Sequence, residues 1–75
     1  MGAAGSDAAP TLMRALAGDP EVLVRQHAAW ALGEIGRQSE NGAKGAISEA
    51  LGRSSRDDAS TEVRVEAANA GRRIA

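Results

Sequence analysis

The sequence predicts an all-α fold, a short α-solenoid of about four helices arranged as hairpins. Three observations carry this reading. Apolar residues make up 43% of the chain and are almost all Ala, Leu, Val and Ile, with Trp30 the sole aromatic. Such side chains build a thin core, which suits helices packed closely together. Val24, Ala28, Ala31 and Ile35 fall at i, i+4, i+7 and i+11, one stripe of a 3.6-residue period. The chain also resembles itself: Asp19, Val24, Arg25, Ala28, Ala29, Ala31 and Ile35 reappear 39 positions later as Asp58, Val63, Arg64, Ala67, Ala68, Ala70 and Ile74. Self-similarity at a fixed period marks a repeat architecture.

The helices are expected over 7–17, 20–36, 41–53 and 60–74. A flexible Gly- and Ala-rich leader, 1–6, precedes a repeat domain over 7–75. The first helix carries Leu12, Ala15 and Leu16, which match Ile47, Ala50 and Leu51 of the third at a spacing of 35. The two spacings differ by four residues, assigned to a longer connection from Gly52 to Asp57. The second helix has the clearest start. Asp19 can accept hydrogen bonds from free amides of the first turn, Pro20 suits the first helical position, and Glu21 is favoured by the helix dipole. Gly36 lies where that helix can end in a left-handed cap, and Ser39–Gly42 reads as a turn. The fourth helix repeats the stripe as Val63, Ala67, Ala70 and Ile74.

The pattern Asp-x-x-x-x-Val-Arg-x-x-Ala-Ala-x-Ala-Leu-Gly-x-Ile-Gly at Asp19 to Gly36 resembles the HEAT-like repeat first described in phycobilin lyases and found in many bacterial scaffold proteins. The likeness covers one full repeat, the second helix of a repeat before it and the first helix of one after. "VRQHAAWALGEIG" and the following "AISEAL" also look like the carboxyl-terminal repeats of epoxyqueuosine reductases, which modify transfer RNA. The resemblance implies stacked helix pairs in which Arg25 and Arg64 tie adjacent repeats to Asp19 and Asp58 by charge-assisted hydrogen bonds. The catalytic chemistry of the reductases does not carry over, because it needs cysteines that this chain lacks.

Beside its main stripe the second helix carries Leu23, His27 and Trp30, where the fourth has Glu62, Glu66, Asn69 and Arg73. A terminal repeat needs a polar outer face. Leu23, His27 and Trp30 are therefore expected to pack toward the second copy of the repeat, with Trp30 against Ala68, Gly71 and Ala75, and the polar set to face solvent. Burial of Trp30 would then contribute on the order of 2–3 kcal/mol, and Trp30→Ala is expected to unfold the chain. Leu12, Leu16 and Met13 leave one apolar side open at the amino-terminal end. The leader, a second copy of the chain in a homodimer, or the rest of a longer array are its candidate covers.

Composition excludes several kinds of chemistry. With no Cys there is no disulfide, thiolate zinc site, iron–sulfur cluster or cysteine nucleophile. His27 stands alone between Leu23 and Trp30, a setting for packing and not for a base or metal ligand. Gly33, Gly36, Gly42 and Gly45 follow no strand and lack a Gly-Lys-Ser/Thr, so they form no phosphate loop. Asp57 and Asp58 are too few for a calcium site. Arg53, Arg56, Arg72 and Arg73 offer phosphate contacts only if they share an edge, and Asp57, Asp58 and Glu62 offset them. Nine basic and ten acidic residues leave a formal charge of −1, which argues against a nucleic-acid partner. No membrane span or signal peptide is read, so the expected compartment is the cytoplasm.

The sequence therefore predicts a non-catalytic scaffold for protein–protein interaction, with no cofactor and no metal. Its groove is expected between the helices over 7–17 and 41–53, with Arg14, Lys44, Ser48 and Glu49 as the contacting side chains. The resemblance implies two alternatives: an accessory segment of a tRNA-modifying enzyme, or a non-catalytic subunit of a phycobilin-lyase-like complex.

Overall fold

A computed structural model describes residues 4–39 and 42–74 as four helices: α1 (Ala4–Gly18), α2 (Val22–Gln38), α3 (Gly42–Asp57) and α4 (Thr61–Ile74). No strand occurs among the described residues. α2 and α4 pack on each other most extensively, forming one layer; α1 and α3 form the other, α1 lying on α2 and α3 on α4.

Several boundaries move from their sequence-based positions. α1 starts at Ala4, inside the expected leader, with Pro10 within the helix; residues 1–3 lie outside the described residues. α3 runs to Asp57, so the four extra residues of the second repeat are a further helical turn and not a longer loop. Four residues nearly complete a 3.6-residue turn, so the addition lengthens α3 without rotating its faces. The two connections consequently match, Asp19 to Glu21 and Asp58 to Ser60. In each, the Asp side chain bends the chain by accepting an amide two residues on: Oδ1 of Asp19 from Glu21 and Oδ1 of Asp58 from Ser60, both at 2.9 Å. α2 accordingly begins at Val22, two residues later than expected, and Asp19 serves as a turn residue and not as its cap. Gly36 is no cap either. It lies buried inside α2, which ends when Ser39 donates its amide to Gly36 O and its hydroxyl to Ile35 O. Of the predicted turn at Ser39–Gly42, residues 40–41 lie outside the described residues.

The core is assembled from Leu16, Leu32, Ile47, Leu51, Val63 and Ile74 with Ala9, Ala28, Ala29, Ala67 and Ala70 between them. Small residues set the spacing of its central helix pair. A Cβ on Gly33 would stand 2.7 Å from the Cβ of Ala70, and one on Gly36 would stand 2.5 Å from Cδ1 of Ile74. At Gly33 the backbone of α2 thus packs directly on Ala70 of α4, and at Gly36 it makes room for the Ile74 side chain.

The stripe on α4 is buried throughout, but its counterpart on α2 is split. Val63 is 0% exposed, whereas Val24, at the same point of the repeat, is 41% exposed. α2 instead turns Ala28, Ala29, Leu32, Gly33 and Gly36 inward. The reason lies in how repeats stack. One face of a helix meets the repeat that follows and the other meets the repeat before, so the face that α4 sets against α2 has its counterpart on the far side of α2.

That geometry overturns the expectation for Trp30. Leu23 is 77% exposed, Trp30 is 48% exposed and His27 is exposed as well. Leu23 and His27 border a hollow shared with α1. The flank read as the solvent face of α4 is partly its contact face: Nη2 of Arg73 donates to the Trp30 carbonyl at 3.3 Å, and its Nε lies 3.4 Å from Oε2 of Glu34. No space beside Gly33 would admit an indole, so Trp30 is not an inter-repeat core residue and its removal is not expected to unfold the chain.

Candidate protein-interaction surfaces

The connections bring together the least exposed ion pair among the described residues. Arg25 donates through Nε to Oδ2 of Asp58 at 3.0 Å and through Nη2 to Oδ1 at 3.2 Å, and its Nη1 donates to the Asp19 carbonyl at 2.8 Å. Their side chains are 13% and 7% exposed. Burial pushes the Asp58 carboxyl up, but hydrogen bonds from Arg25 and the Ser60 amide, with the charges of Arg25 and Arg64, outweigh it and hold the group below its ordinary value. Arg64 repeats half of this arrangement: Nη1 donates to the Asp58 carbonyl, as Arg25 does to Asp19, and Nη2 donates to Thr61. The carboxylate that meets Arg25 comes from the next repeat, so the tie runs from the Arg of one repeat to the Asp of the following one.

Three open surfaces stand out among the described residues. On the layer of α1 and α3, a groove of about 410 Å³ has Met13, Ala17, Ala46 and Ala50 in its wall and Glu49, Arg53 and Asp57 among its polar groups. Between α3 and α4, a shallower depression lined by Lys44, Gly45, Ser48, Ala68, Gly71 and Arg72 marks the carboxyl-terminal end. At the amino-terminal end, α1 and α2 enclose a hollow of about 260 Å³ formed by Leu12, Ala15, Leu23, Val24, His27 and Ala28. Trp30 extends this surface, its ring centroid 6.0 Å from that of His27.

The four residues expected at the groove are all exposed, but they do not converge. Glu49 lines the α1–α3 groove, Lys44 and Ser48 line the α3–α4 depression, and Arg14 on α1 donates to Thr11. They divide because α3 presents different flanks to α1 and α4. The arginines also separate: Arg53 lines one surface and Arg72 another, and Arg73 is held by Trp30 and Glu34. Sequence reasoning missed the end face of Leu23 and Trp30. The signal was present as large apolar residues opposite a polar flank on α4, but the hand of the stack decides which way that flank points. Among the described residues, no group of three or more His, Cys, Asp or Glu is placed to hold a metal ion. No described helix is long and apolar enough to cross a membrane.

Two layers of helices, repeated along the chain and tied from Arg to Asp between repeats, define a helical-repeat protein of the α-solenoid class. The family profile described as HEAT repeats matches residues 1–70, and the chain belongs to that family. Neither the curated proteins nor the solved structures yield a match.

Proposed function

We propose that this chain is a non-catalytic scaffold of the cell interior that binds another protein through the layer of α1 and α3. One observation carries the reading: the groove there sets Met13, Ala17, Ala46 and Ala50 beside Glu49, Arg53 and Asp57, an apolar wall with a charged border of the kind protein interfaces use. Arg14 and Glu49 belong to that layer, while Lys44 and Ser48 serve a contact reaching around α3. HEAT-repeat membership supports the same reading, since such repeats are commonly interaction scaffolds.

The alternatives, a transfer-RNA-holding segment of a modification enzyme or a subunit of a chromophore-attaching complex, have less support. The first needs a shared basic edge, and Arg53, Arg72 and Arg73 lie on different surfaces.

The test is a photocrosslinking residue at the exposed position Ala46, activated in cells. A discrete protein adduct that Ala50→Arg abolishes, with helical content unchanged, supports the reading. RNA adducts, or protein adducts obtained only from position Leu23, would overturn it.

A further inference from the structure

The amino-terminal hollow lies on one half of a contact that the chain makes once inside itself, a half that no described residue fills. Within the chain, the outgoing face of α2 meets the incoming face of α4: Gly33 lies against Ala70 and Arg73, Gly36 against Ile74, and Arg25 takes the Asp58 carboxylate. By the repeat relation, the incoming face of α2 includes Val24, Ala31 and Ile35, with Asp19 as its carboxylate. Val24, against which no described residue takes the place that α2 takes over Val63, is left 41% exposed. At the other end, Arg64 stands at the register of Arg25 with its guanidinium bound only to the Asp58 carbonyl and Thr61 among the described residues.

We propose that the occupant of the amino-terminal face is a second copy of this chain, docked head to tail so that Arg64 of one copy binds the Asp19 carboxylate of the next. The inference rests on the reading of the chain as a protein-binding scaffold, and it names one partner and one geometry. The charges match at one point. Arg64 meets Asp19 across the junction, while Glu34 stays paired with Arg73 and Arg37 of its own chain. Arg72 is exposed and, among the described residues, hydrogen-bonded only to Asn69.

The contact between copies is looser than the one within. Arg72 in place of Gly33 keeps α4 and the incoming α2 from approaching through their backbones, and Gly71 stands where Leu32 fills the core inside the chain. The association is therefore weak and concentration-dependent. Because the two faces differ, it does not close at two copies but continues into short chains.

Light scattering across a concentration series tests this on the full chain, with circular dichroism monitoring the fold. The expected result is a mass that rises past the dimer without a plateau. Asp19→Arg and Arg64→Asp should each weaken association by at least ~10-fold, since each sets like charges face to face. An equimolar mixture of the two variants should associate again, because each junction then pairs an Arg with an Asp. Val24→Asp alters a side chain that is 41% exposed in the single chain and lies on the incoming face, so it should weaken association without unfolding, which keeps the proposal testable if Arg64→Asp does not fold. A mass that stays monomeric, a plateau at two copies, or mixed variants that fail to recover while both are folded would each overturn it. Crosslinking from Ala46 reads the α1–α3 layer independently, so either proposal can fail while the other stands.

Discussion

Replacing Gly33 with Ala tests the backbone contact on which the fold depends. In the interior of a helix this substitution alone should stabilise by about 1 kcal/mol, because Ala loses less backbone freedom on folding. At Gly33 the new methyl would stand 2.7 Å from the Cβ of Ala70, 3.1 Å from its Cα and 2.6 Å from Nη2 of Arg73. The arginine can swing away, but Ala70 is fixed to the backbone of α4. Comfortable carbon–carbon contact begins near ~3.5 Å, so α4 must retreat by most of an ångström, carrying the Arg25–Asp58 tie with it. Overpacking of this kind costs about 1–3 kcal/mol, which gives a net loss of about 1 kcal/mol. Gly52, inside α3, supplies the control: a Cβ there meets only the guanidinium of Arg56, at an ordinary 3.5 Å. Gly52→Ala should therefore gain about 1 kcal/mol. Urea denaturation followed by helical circular dichroism, with a slope of about 1 kcal/mol/M for so small a domain, should separate the two midpoints by about 2 M. Equal stabilisation by both substitutions would show that α2 and α4 do not meet at Gly33, and the packing argument would fail.

Arg25→Ala leaves the partly buried Asp58 carboxylate with only the Ser60 amide and the Arg64 charge to hold it, and should cost about 2 kcal/mol in chemical denaturation, the range of hydrogen bonds to a charged group; a loss below about 0.5 kcal/mol would mean that the tie is ornamental. Because folding lowers the Asp58 pKa, its contribution is complete above the unfolded-state value of about 4 and is lost as pH falls through the lower folded value. Stability measured from pH 5 downward should therefore drop through that window in the native chain and drop less in Asp58→Asn. Trp30→Ala should cost no more than about 1 kcal/mol, since the indole is half exposed, while Leu51→Ala, which empties a fully buried site, should cost about 2–5 kcal/mol. If the Trp30 variant were the less stable of the two, the orientation of α2 would be wrong.

The sequence by itself determined that this chain is a helical repeat. The spacing of 39 residues and the stripe of Val63, Ala67, Ala70 and Ile74 follow from local periodicity, which any helix must obey to bury one side. The likeness to the HEAT-like repeat implied that Arg25 and Arg64 tie repeats together with Asp19 and Asp58, without saying which Arg meets which Asp. Tertiary structure alone decided which flank of α2 meets α4. Leu23, His27 and Trp30 make as good an apolar flank as Ala29, Leu32, Gly33 and Gly36, and composition favours the larger set. The stack chose the smaller one because helices that touch through glycine and alanine gain close contact along their length, whereas a half-buried indole would hold them apart. Which side of a helix faces forward depends on the hand of the superhelix, a property of neighbouring helices together and not of either one's residue pattern. The same cause scattered Lys44, Ser48 and Glu49 over two surfaces and left Leu23 and Trp30 at the open end.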